Sequence, residues 1–311
     1  MHSKFIISLD FELKWGVFDA SGDEYHENII GGRSAIPKIL DIFESNDIKA
    51  TWAIVGILFA STKADYNKFK PLMTPSYNNS KLDPFQQKIG ESEETDKLSY
   101  AGSLVNLIDN SKNQEIASHT YCHYYCKENG QTKFEFEHDV KSMVAISSEK
   151  LSKPIKSIVF PRNEINSEYF DILIQNGFTH FRGNPTHFFY SKGHRRFNLP
   201  IRMLRLLDSY INISGNQVSI KKTHNGLINI VGNRILRPYS KKTILNFLMI
   251  RRIKNEMLNA AKKKKNYQIY WHPHNFGVNI DKNLENLSKV IDYYHVLNKK
   301  YGMVSSNISE I

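Results

Sequence analysis

Short β-rich runs alternate with amphipathic helical patterns along most of this 311-residue sequence. Strand patterns occur at 5–9, 49–55, 115–117, 157–160, 178–181 and 267–271, and helical periodicity occurs at 33–45, 102–110, 134–151, 168–176, 243–261 and 283–299. Repeated strand–helix units favour parallel strands with helices packed outside them. The sequence therefore predicts an α/β fold, either a (β/α) barrel or a wound sheet.

Two segments do not follow this alternation. Residues 61–97 are polar and contain Pro71, Pro75 and Pro84, which predicts an insertion that crosses one face of the fold. Residues 183–239 contain several short apolar runs whose order the pattern does not resolve. Since the sequence shows neither an internal repeat nor a low-complexity linker, we predict a single domain over residues 1–311, with insertions near 61–97 and 183–239.

The composition indicates a globular protein in a reducing compartment. Hydrophobic residues make up 41% and charged residues 23% of the chain, which is typical of folded domains. No apolar run approaches the length that spans a bilayer, and the apolar part of the N-terminus is too short for a signal peptide. Cys122 and Cys126 are the only cysteines, which excludes a disulfide framework. We therefore predict a cytoplasmic protein.

The formal net charge of +11 indicates an anionic partner, such as a nucleotide sugar, a lipid pyrophosphate, a membrane surface or nucleic acid. Nucleic acid has no support beyond the charge, so we predict that it is not a partner. The helical pattern at 243–261 ends in four lysines, which fits a barrel helix with cations at its C-terminus. Peripheral contact with an anionic membrane is the alternative. Four further cations either meet a substrate phosphate or are solvated: Arg195, Arg196, Arg202 and Arg205.

Ionisable and metal-binding side chains follow several of the predicted strands. In an α/β barrel, active-site residues lie where strands end and loops begin. The residues in these positions are Asp10, Glu12, His119, His123, Arg162, His272 and His274. Because four strand ends carry such groups together, we predict that they form one active site.

Two short motifs favour a metal site. His119 and His123 are four residues apart, so on a helical turn both imidazoles face one way and can bind a single ion, with a carboxylate as third ligand. Asp10 and Glu12 lie on the same side of an extended segment, where one can bind the metal while the other accepts a proton from water. The alternatives are surface histidines and a helix cap beside a solvated acid.

Five blocks of the sequence resemble, in order, the motifs of the polysaccharide deacetylases (the NodB-homology proteins of carbohydrate esterase family four). Ser-Leu-Asp-Phe-Glu at 8–12 looks like the first motif, and 49–56 is similar to the second strand of the family. The block at 114–123 matches the family pattern His-Glu-Ile-Gly-Asn-His-Thr-x-x-His. Residues 159–163 stand where the family has its arginine motif, and 269–273 resemble the final strand with its histidine. The resemblance spans residues 4 to about 277.

This resemblance implies a distorted (β/α) barrel of seven strands with inserted segments, and one divalent metal ion. By position, Glu12, His119 and His123 would hold the ion, which we expect to be Zn²⁺, with Co²⁺ or Ni²⁺ as alternatives. Phe11 separates the two acids of the first motif, so the carboxylate ligand is expected to be Glu12.

The resemblance also implies three catalytic roles. Asp10 would be the general base, Arg162 would orient Asp10 and keep it ionised, and His272 would protonate the leaving group. His274 could compete with His272 for the acid role. The arginine motif departs from the Arg-Pro-Pro pattern of the family, because Pro161 precedes Arg162 here. The backbone amide that would complete an oxyanion hole is therefore unassigned.

By this resemblance the protein is a metal-dependent carbohydrate deacetylase, a hydrolase acting on C–N bonds other than peptide bonds. We predict that it removes an N-acyl group, acetyl or formyl, from a sugar precursor of a bacterial surface polysaccharide. Because no export signal is evident, we expect a nucleotide- or polyprenyl-linked substrate, met in the cytoplasm or at the inner membrane surface. The alternatives are an amidase acting on a small non-sugar amide and a catalytically impaired barrel with a sugar-binding or assembly role.

Overall fold

The computed structural model describes residues 2–20, 22–191, 199–218, 222–224 and 226–311. Its strands are β1 (Lys4–Phe11), β2 (Ala50–Ile54), β3 (Gln114–Ser118), β4 (Ser157–Ile158), β5 (His180–Gly183), β6 (Lys222–His224), β7 (Leu227–Val231), β8 (Arg234–Ile235), β9 (Tyr267–Trp271) and β10 (Val304–Ser306). Its α-helices are α1 (His26–Ser45), α2 (Lys63–Phe69), α3 (Gly102–Asn110), α4 (Lys133–Lys150), α5 (Phe170–Gln175), α6 (Phe188–Ser191), α7 (Leu199–Asp208), α8 (Thr243–Lys262) and α9 (Ile280–Tyr301).

The strands form one curved sheet in the order β6-β7-β5-β4-β3-β2-β1-β9-β8, with β10 also paired to β1. Neighbouring strands are parallel except for the β6–β7 pair. β7 pairs with β5, and after a two-residue break β8 pairs with β9. The chain from β7 to β8 therefore joins the two ends of the sheet. This closure confirms the predicted distorted (β/α) barrel.

The strand count differs from the predicted seven, since the described part of the chain contains ten strands. β6 and β10 are additional to the barrel wall. β7 and β8 are separate because Gly232 and Asn233 lie where the chain changes partner. The Gly232 N–H donates to the Gly183 carbonyl of β5 at 2.9 Å, and the Asn233 N–H donates to the Gln268 carbonyl of β9 at 3.0 Å.

Alternation along β1 separates the outer core from the barrel interior. The odd-numbered residues 5–11 are buried in the main apolar core, which includes the inner faces of the helices. Ile6 packs instead with Ile230 and Ile308 in a separate cluster. Because side chains alternate along a strand, Asp10 shares the inner face with Ile6. β1 is longer than the predicted 5–9, so Asp10 lies within the strand and not after it.

Helix α1 begins at His26, whereas the sequence pattern predicted a helix only from residue 33. Gly31 and Gly32 weakened that pattern, because glycine is a poor helix former. Their role is close packing against the loop after β9. A Cβ at Gly31 would lie 2.1 Å from the Gly277 carbonyl oxygen, and one at Gly32 would lie 2.6 Å from Cα of His274. The glycine pair therefore allows α1 to support the loop that carries His272 and His274.

The segment at 61–97 contains α2 and short 3₁₀ turns, and it packs beside the loop that follows β3. There the Tyr125 N–H donates to the Tyr77 hydroxyl at 2.8 Å. The segment at 183–239 contains α6, α7 and β6–β8, so part of it belongs to the barrel wall. Among the described residues, no helix has both the length and the apolar character needed to cross a membrane.

Candidate metal and catalytic site

The structure brings Glu12, His119 and His123 together at the C-terminal ends of β1 and β3. Their potential ligand atoms all lie within 4.8 Å of one another, and all three residues are buried. Oε2 of Glu12 is 3.0 Å from Nε2 of His123 and 3.3 Å from Nε2 of His119. Burial would raise the pKa of Glu12, but the charges of His272 and His123 outweigh it and hold this pKa well below its usual value.

A hydrogen bond orients His119 as a candidate metal donor. Nδ1 of His119 lies 2.8 Å from the Val159 carbonyl oxygen, which can only accept, so Nδ1 carries the proton. Nε2 of His119 therefore turns a lone pair towards Glu12. Two acceptors facing each other repel unless a cation lies between them. The nitrogen and carboxylate donor set fits a divalent metal.

The two histidines do not lie on a helical turn, as their spacing had suggested. Residues 119–123 form an irregular loop in which Thr120 and His123 have positive φ angles of 62° and 60°. Asp139 of α4 holds the loop by accepting from the Tyr121 N–H at 2.7 Å and from the Cys122 N–H at 2.9 Å. The imidazoles therefore converge through a left-handed loop that α4 stabilises.

Asp10 is paired with Arg182, which the sequence analysis did not select. Nη1 and Nη2 of Arg182 donate to Oδ1 and Oδ2 of Asp10, each at 2.6 Å, and both side chains are buried. Burial would raise the pKa of Asp10, but the Arg182 guanidinium outweighs this effect and lowers it. Nη2 of Arg182 also donates to Oδ1 of Asn163 at 2.9 Å.

The prediction that Arg162 orients Asp10 was wrong. Arg162 pairs with Asp19 and, at 3.1 Å, with Glu128, and its guanidinium carbon lies 3.6 Å from the centre of the Tyr125 ring. The physical reason is a left-handed turn, with φ angles of 55° at Arg162 and 54° at Asn163. In this turn it is the Asn163 side chain, and not that of Arg162, that reaches the Asp10 ion pair.

His272 lies close to both Glu12 and Asp10. Its Nε2 is 3.5 Å from Oε1 of Glu12 and 3.8 Å from Oδ2 of Asp10, and its side chain is 26% exposed. Asn275 accepts a hydrogen bond from the Tyr25 hydroxyl through Oδ1, so its Nδ2 is the group that faces Nδ1 of His272, at 3.3 Å. A neutral His272 therefore carries its proton on Nε2, which points towards the two carboxylates.

His274 occupies a deeper position than His272. The two rings stack with their centres 5.1 Å apart, and Nε2 of His274 is 3.9 Å from Oε1 of Glu12. His274 is buried, and burial, reinforced by the charge of His272, lowers its pKa to about 3. A side chain held neutral and away from solvent is poorly placed to exchange protons, which favours His272 for that task.

Three supporting residues were missed by sequence reasoning. Arg182 could have been found, because it directly follows the predicted strand 178–181, just as the other candidate site residues follow theirs. Asn163 and Asn275 carried no such signal, since their contacts depend on turns. Arg202 is exposed on α7, and Arg205 donates to the Phe189 carbonyl at 2.5 Å, so neither reaches the metal cluster through these contacts. Arg195 and Arg196 lie outside the described residues.

The fold is shared with known proteins of very low sequence identity. A protein from Mycobacterium smegmatis described as a polysaccharide deacetylase is similar with a TM-score of 0.61, 10% identity, and coverage of 99% of this chain and 88% of that one. A similarly described protein from Pseudomonas aeruginosa gives a TM-score of 0.59, 8% identity and the same coverage. PuuE allantoinase gives 0.57 at 11% identity, again covering 99% and 88%.

The sequence itself also matches a known family. No curated protein matches the chain. The family model for polysaccharide deacetylase, in contrast, matches residues 18–181, which include His119 and His123 of the candidate metal cluster and more than half of the chain. Glu12, Arg182 and His272 lie outside this range but converge on the same site. This chain belongs to the polysaccharide deacetylase family.

Proposed function

We propose that this protein hydrolyses an N-acyl group, acetyl or formyl, on a sugar precursor of a bacterial surface polysaccharide, with a divalent metal ion held by Glu12, His119 and His123. Family membership implies a hydrolase acting on an acylated sugar. The observation that carries the proposal is the convergence of three kinds of group. Nε2 of His272 lies 3.5 Å from Oε1 of Glu12, a member of the candidate metal cluster, and 3.8 Å from Oδ2 of Asp10.

The donor set supports metal dependence. Glu12 and Nε2 of His119 present acceptor atoms to each other, an arrangement that a cation stabilises, and Nε2 of His123 lies 3.0 Å from the same Glu12 oxygen. When bound there, a Zn²⁺-type ion supplies Lewis acidity to the acyl carbonyl and to the attacking water. Two contacts hold the candidate ligands in place, because the Val159 carbonyl sets the tautomer of His119 and Asp139 holds the loop that carries His119 and His123.

In the proposed reaction, Asp10 accepts a proton from the attacking water. Arg182 keeps Asp10 ionised in a buried site and orients it by binding both of its oxygens. The same contact lowers the pKa of Asp10, which makes it a weaker base. His272, acting as the imidazolium, donates its Nε2 proton to the departing sugar amine and becomes neutral, since an amine anion is too poor a leaving group to depart unprotonated. Its partial exposure allows it to regain a proton from solvent.

The substrate is proposed to carry a phosphate-bearing group, either a nucleotide or a polyprenyl diphosphate. The net charge of +11 supports an anionic substrate. We place this activity in the cytoplasm or at the inner membrane surface, where such precursors are accessible.

Release of acetate or formate from acylated nucleotide-linked and lipid-linked sugars tests this function. Purified protein loaded with Zn²⁺ is assayed beside Asp10→Asn, which retains the metal ligands. Release by the wild type that falls by roughly 10²–10⁴-fold in Asp10→Asn supports the proposal. Sugar binding without release by either protein would instead assign a binding or assembly role, and release from small non-sugar amides alone would assign the amidase alternative.

A further inference from the structure

Helix α7 has an inverted pattern of burial. Three of its four leucines and its methionine are exposed to solvent, and Asp208 is its one buried member among residues whose burial is described. Together with two isoleucines after the helix, these side chains form a surface that we name the α7 face, and each is between 42% and 63% exposed. The α7 face consists of Leu199, Met203, Leu206, Leu207, Ile211 and Ile213.

The spacing makes this surface continuous. Met203 comes four residues after Leu199, and Leu206 and Leu207 come three and four residues after Met203. These four side chains therefore lie on one side of the helix. A soluble helix normally turns such a stripe towards the core. Exposed apolar patches of this kind usually mark an interaction surface.

Buried polar contacts attach the C-terminal end of α7 to the barrel. Asp208 pairs with Arg234 of β8 at 2.5 Å and with Arg252 of α8 at 3.4 Å. It also accepts from the Tyr190 hydroxyl at 2.8 Å and from the Ser214 N–H at 2.7 Å. Because these buried contacts anchor the polar side of α7, the apolar side is presented outwards.

The sequence around the α7 face is rich in cations, of which Arg182, Arg234 and Arg252 are buried in ion pairs. Residues 172–255 contain fifteen lysines and arginines and a single carboxylate residue, Asp208, which is buried in its ion pairs. This stretch alone therefore exceeds the net charge of +11 of the whole chain. Arg202 is exposed on α7 itself, where a long side chain can lie along apolar surface with its charge at the lipid headgroups.

We propose that the α7 face docks on an anionic membrane surface. An apolar stripe accompanied by cations, without exposed carboxylates, is the pattern by which amphipathic helices bind in the plane of anionic bilayers. A second copy of the chain would leave the unbalanced positive charge of both copies uncompensated, which makes it the less favoured occupant.

The position of α7 connects this surface with the candidate active site. α7 belongs to the connection that follows β5, and β5 is the strand that contains Arg182. The Tyr270 ring lies 4.3 Å from the Arg182 guanidinium carbon, and Tyr270 also interacts electrostatically with Arg205 of α7. Docking through the α7 face would bring a membrane-anchored sugar near Asp10. This consequence rests on the proposed function, whereas the docking itself does not.

Vesicle flotation tests the docking. Wild-type protein is mixed with vesicles of phosphatidylcholine alone or of phosphatidylcholine with phosphatidylglycerol, and compared with the double variant Met203→Glu/Leu206→Glu. Val296→Glu is the matched control, because Val296 is 54% exposed on α9. We expect the wild type and the control to float with the anionic vesicles. The double variant should bind them at least tenfold more weakly, and high salt should weaken binding by the wild type.

Wild-type protein that does not float with anionic vesicles, or a double variant that floats as well as the wild type, would overturn the docking proposal. Sedimentation velocity supplies the competing outcome, since a wild-type dimer that the double variant dissociates would assign the α7 face to a second copy. Met203→Ser/Leu206→Ser replaces the double variant if the charged one melts early. Asp10→Asn should still float, so failure of turnover and failure of docking are separate results.

Discussion

Arg182 binds Asp10 through two parallel hydrogen bonds of 2.6 Å in the interior of the barrel, and this pair determines the state of the proposed base. The guanidinium has a planar fork that matches both carboxylate oxygens, which lysine cannot reproduce. Arg182 itself is held between the Asn163 side chain and the Tyr270 ring. The proposed base is thus positioned by a residue of β5 that is not among the candidate metal ligands.

Replacing Arg182 by lysine should lower kcat/KM by about 100-fold, because Asp10 loses its bidentate partner and its orientation. The matched control is Arg162→Lys, which changes an arginine that contacts Asp19 and Glu128 instead. We expect a loss of less than about tenfold there. Steady-state kinetics on the same substrate compare the two variants. Equal losses would restore Arg162 to the role that the sequence suggested.

Metal content should follow the three proposed ligands. Elemental mass spectrometry after zinc loading and desalting should find about one ion per wild-type chain and a near-complete loss in His119→Ala/His123→Ala, because a single carboxylate holds zinc weakly. Asp10→Asn should keep the ion, since Asp10 pairs with Arg182 and is not among the clustered ligands. An unchanged metal content in the double variant would exclude this site.

Gly16→Ala should reduce zinc affinity without a large change in stability. A Cβ at this position would lie 2.0 Å from Cδ of Glu12, so the Glu12 carboxylate would have to move away from His119 and His123. We expect an affinity loss of about 10–100-fold, comparable with disturbing the residues that orient a metal ligand. Competition with a zinc chelator measures the affinity, and thermal melting of the metal-free protein provides the control. Wild-type affinity in Gly16→Ala would show that Glu12 is not held in the observed position.

His272→Ala should slow amide hydrolysis by roughly 10²–10⁴-fold, because the amine leaving group needs a proton. An aryl ester of the same acyl group has a leaving group that departs as an anion, so its hydrolysis should fall much less. The ratio of the two rates separates loss of an acid from general damage to the site. His274→Ala is the comparison variant, and a larger effect on the amide-to-ester ratio there would transfer the acid role to His274.

Asp208→Asn should destabilise the protein in a pH-dependent way. Burial would raise the pKa of Asp208, but Arg234 outweighs it and lowers the pKa to about 2, from a usual 3.8. A lowered native pKa stabilises the fold above the unfolded pKa, and this contribution disappears as the pH falls through about 2. At pH 7 the shift corresponds to about 2 kcal/mol in the free energy of unfolding. Urea unfolding at several pH values should show the difference from wild type shrinking below pH 4, and a constant difference would contradict it.

Local sequence determined much of the site. The period of two along β1 placed Asp10 and Glu12 on one face, and the structure puts that face inside the barrel. His119 and His272 follow strands that the pattern located, because apolar runs bounded by polar residues identify buried strands well. The alternation of strands and helices likewise predicted an α/β fold, either a barrel or a wound sheet, and the sequence motifs predicted the family and its barrel.

Other features were decided by tertiary structure alone. Arg182 and Arg162 both follow predicted strands, and the choice between them depends on a left-handed turn at residues 162–163 and on closure of the barrel beside β1. The proton position on His272 depends on Asn275 and Tyr25, whose contact spans 250 positions of sequence. The direction of α7 is the clearest case, because an amphipathic sequence specifies two faces but not which one is inside. The buried ion pairs of Asp208 with Arg234 and Arg252 determine which face of α7 points inwards, and these pairs form only when β8 and α8 are in place.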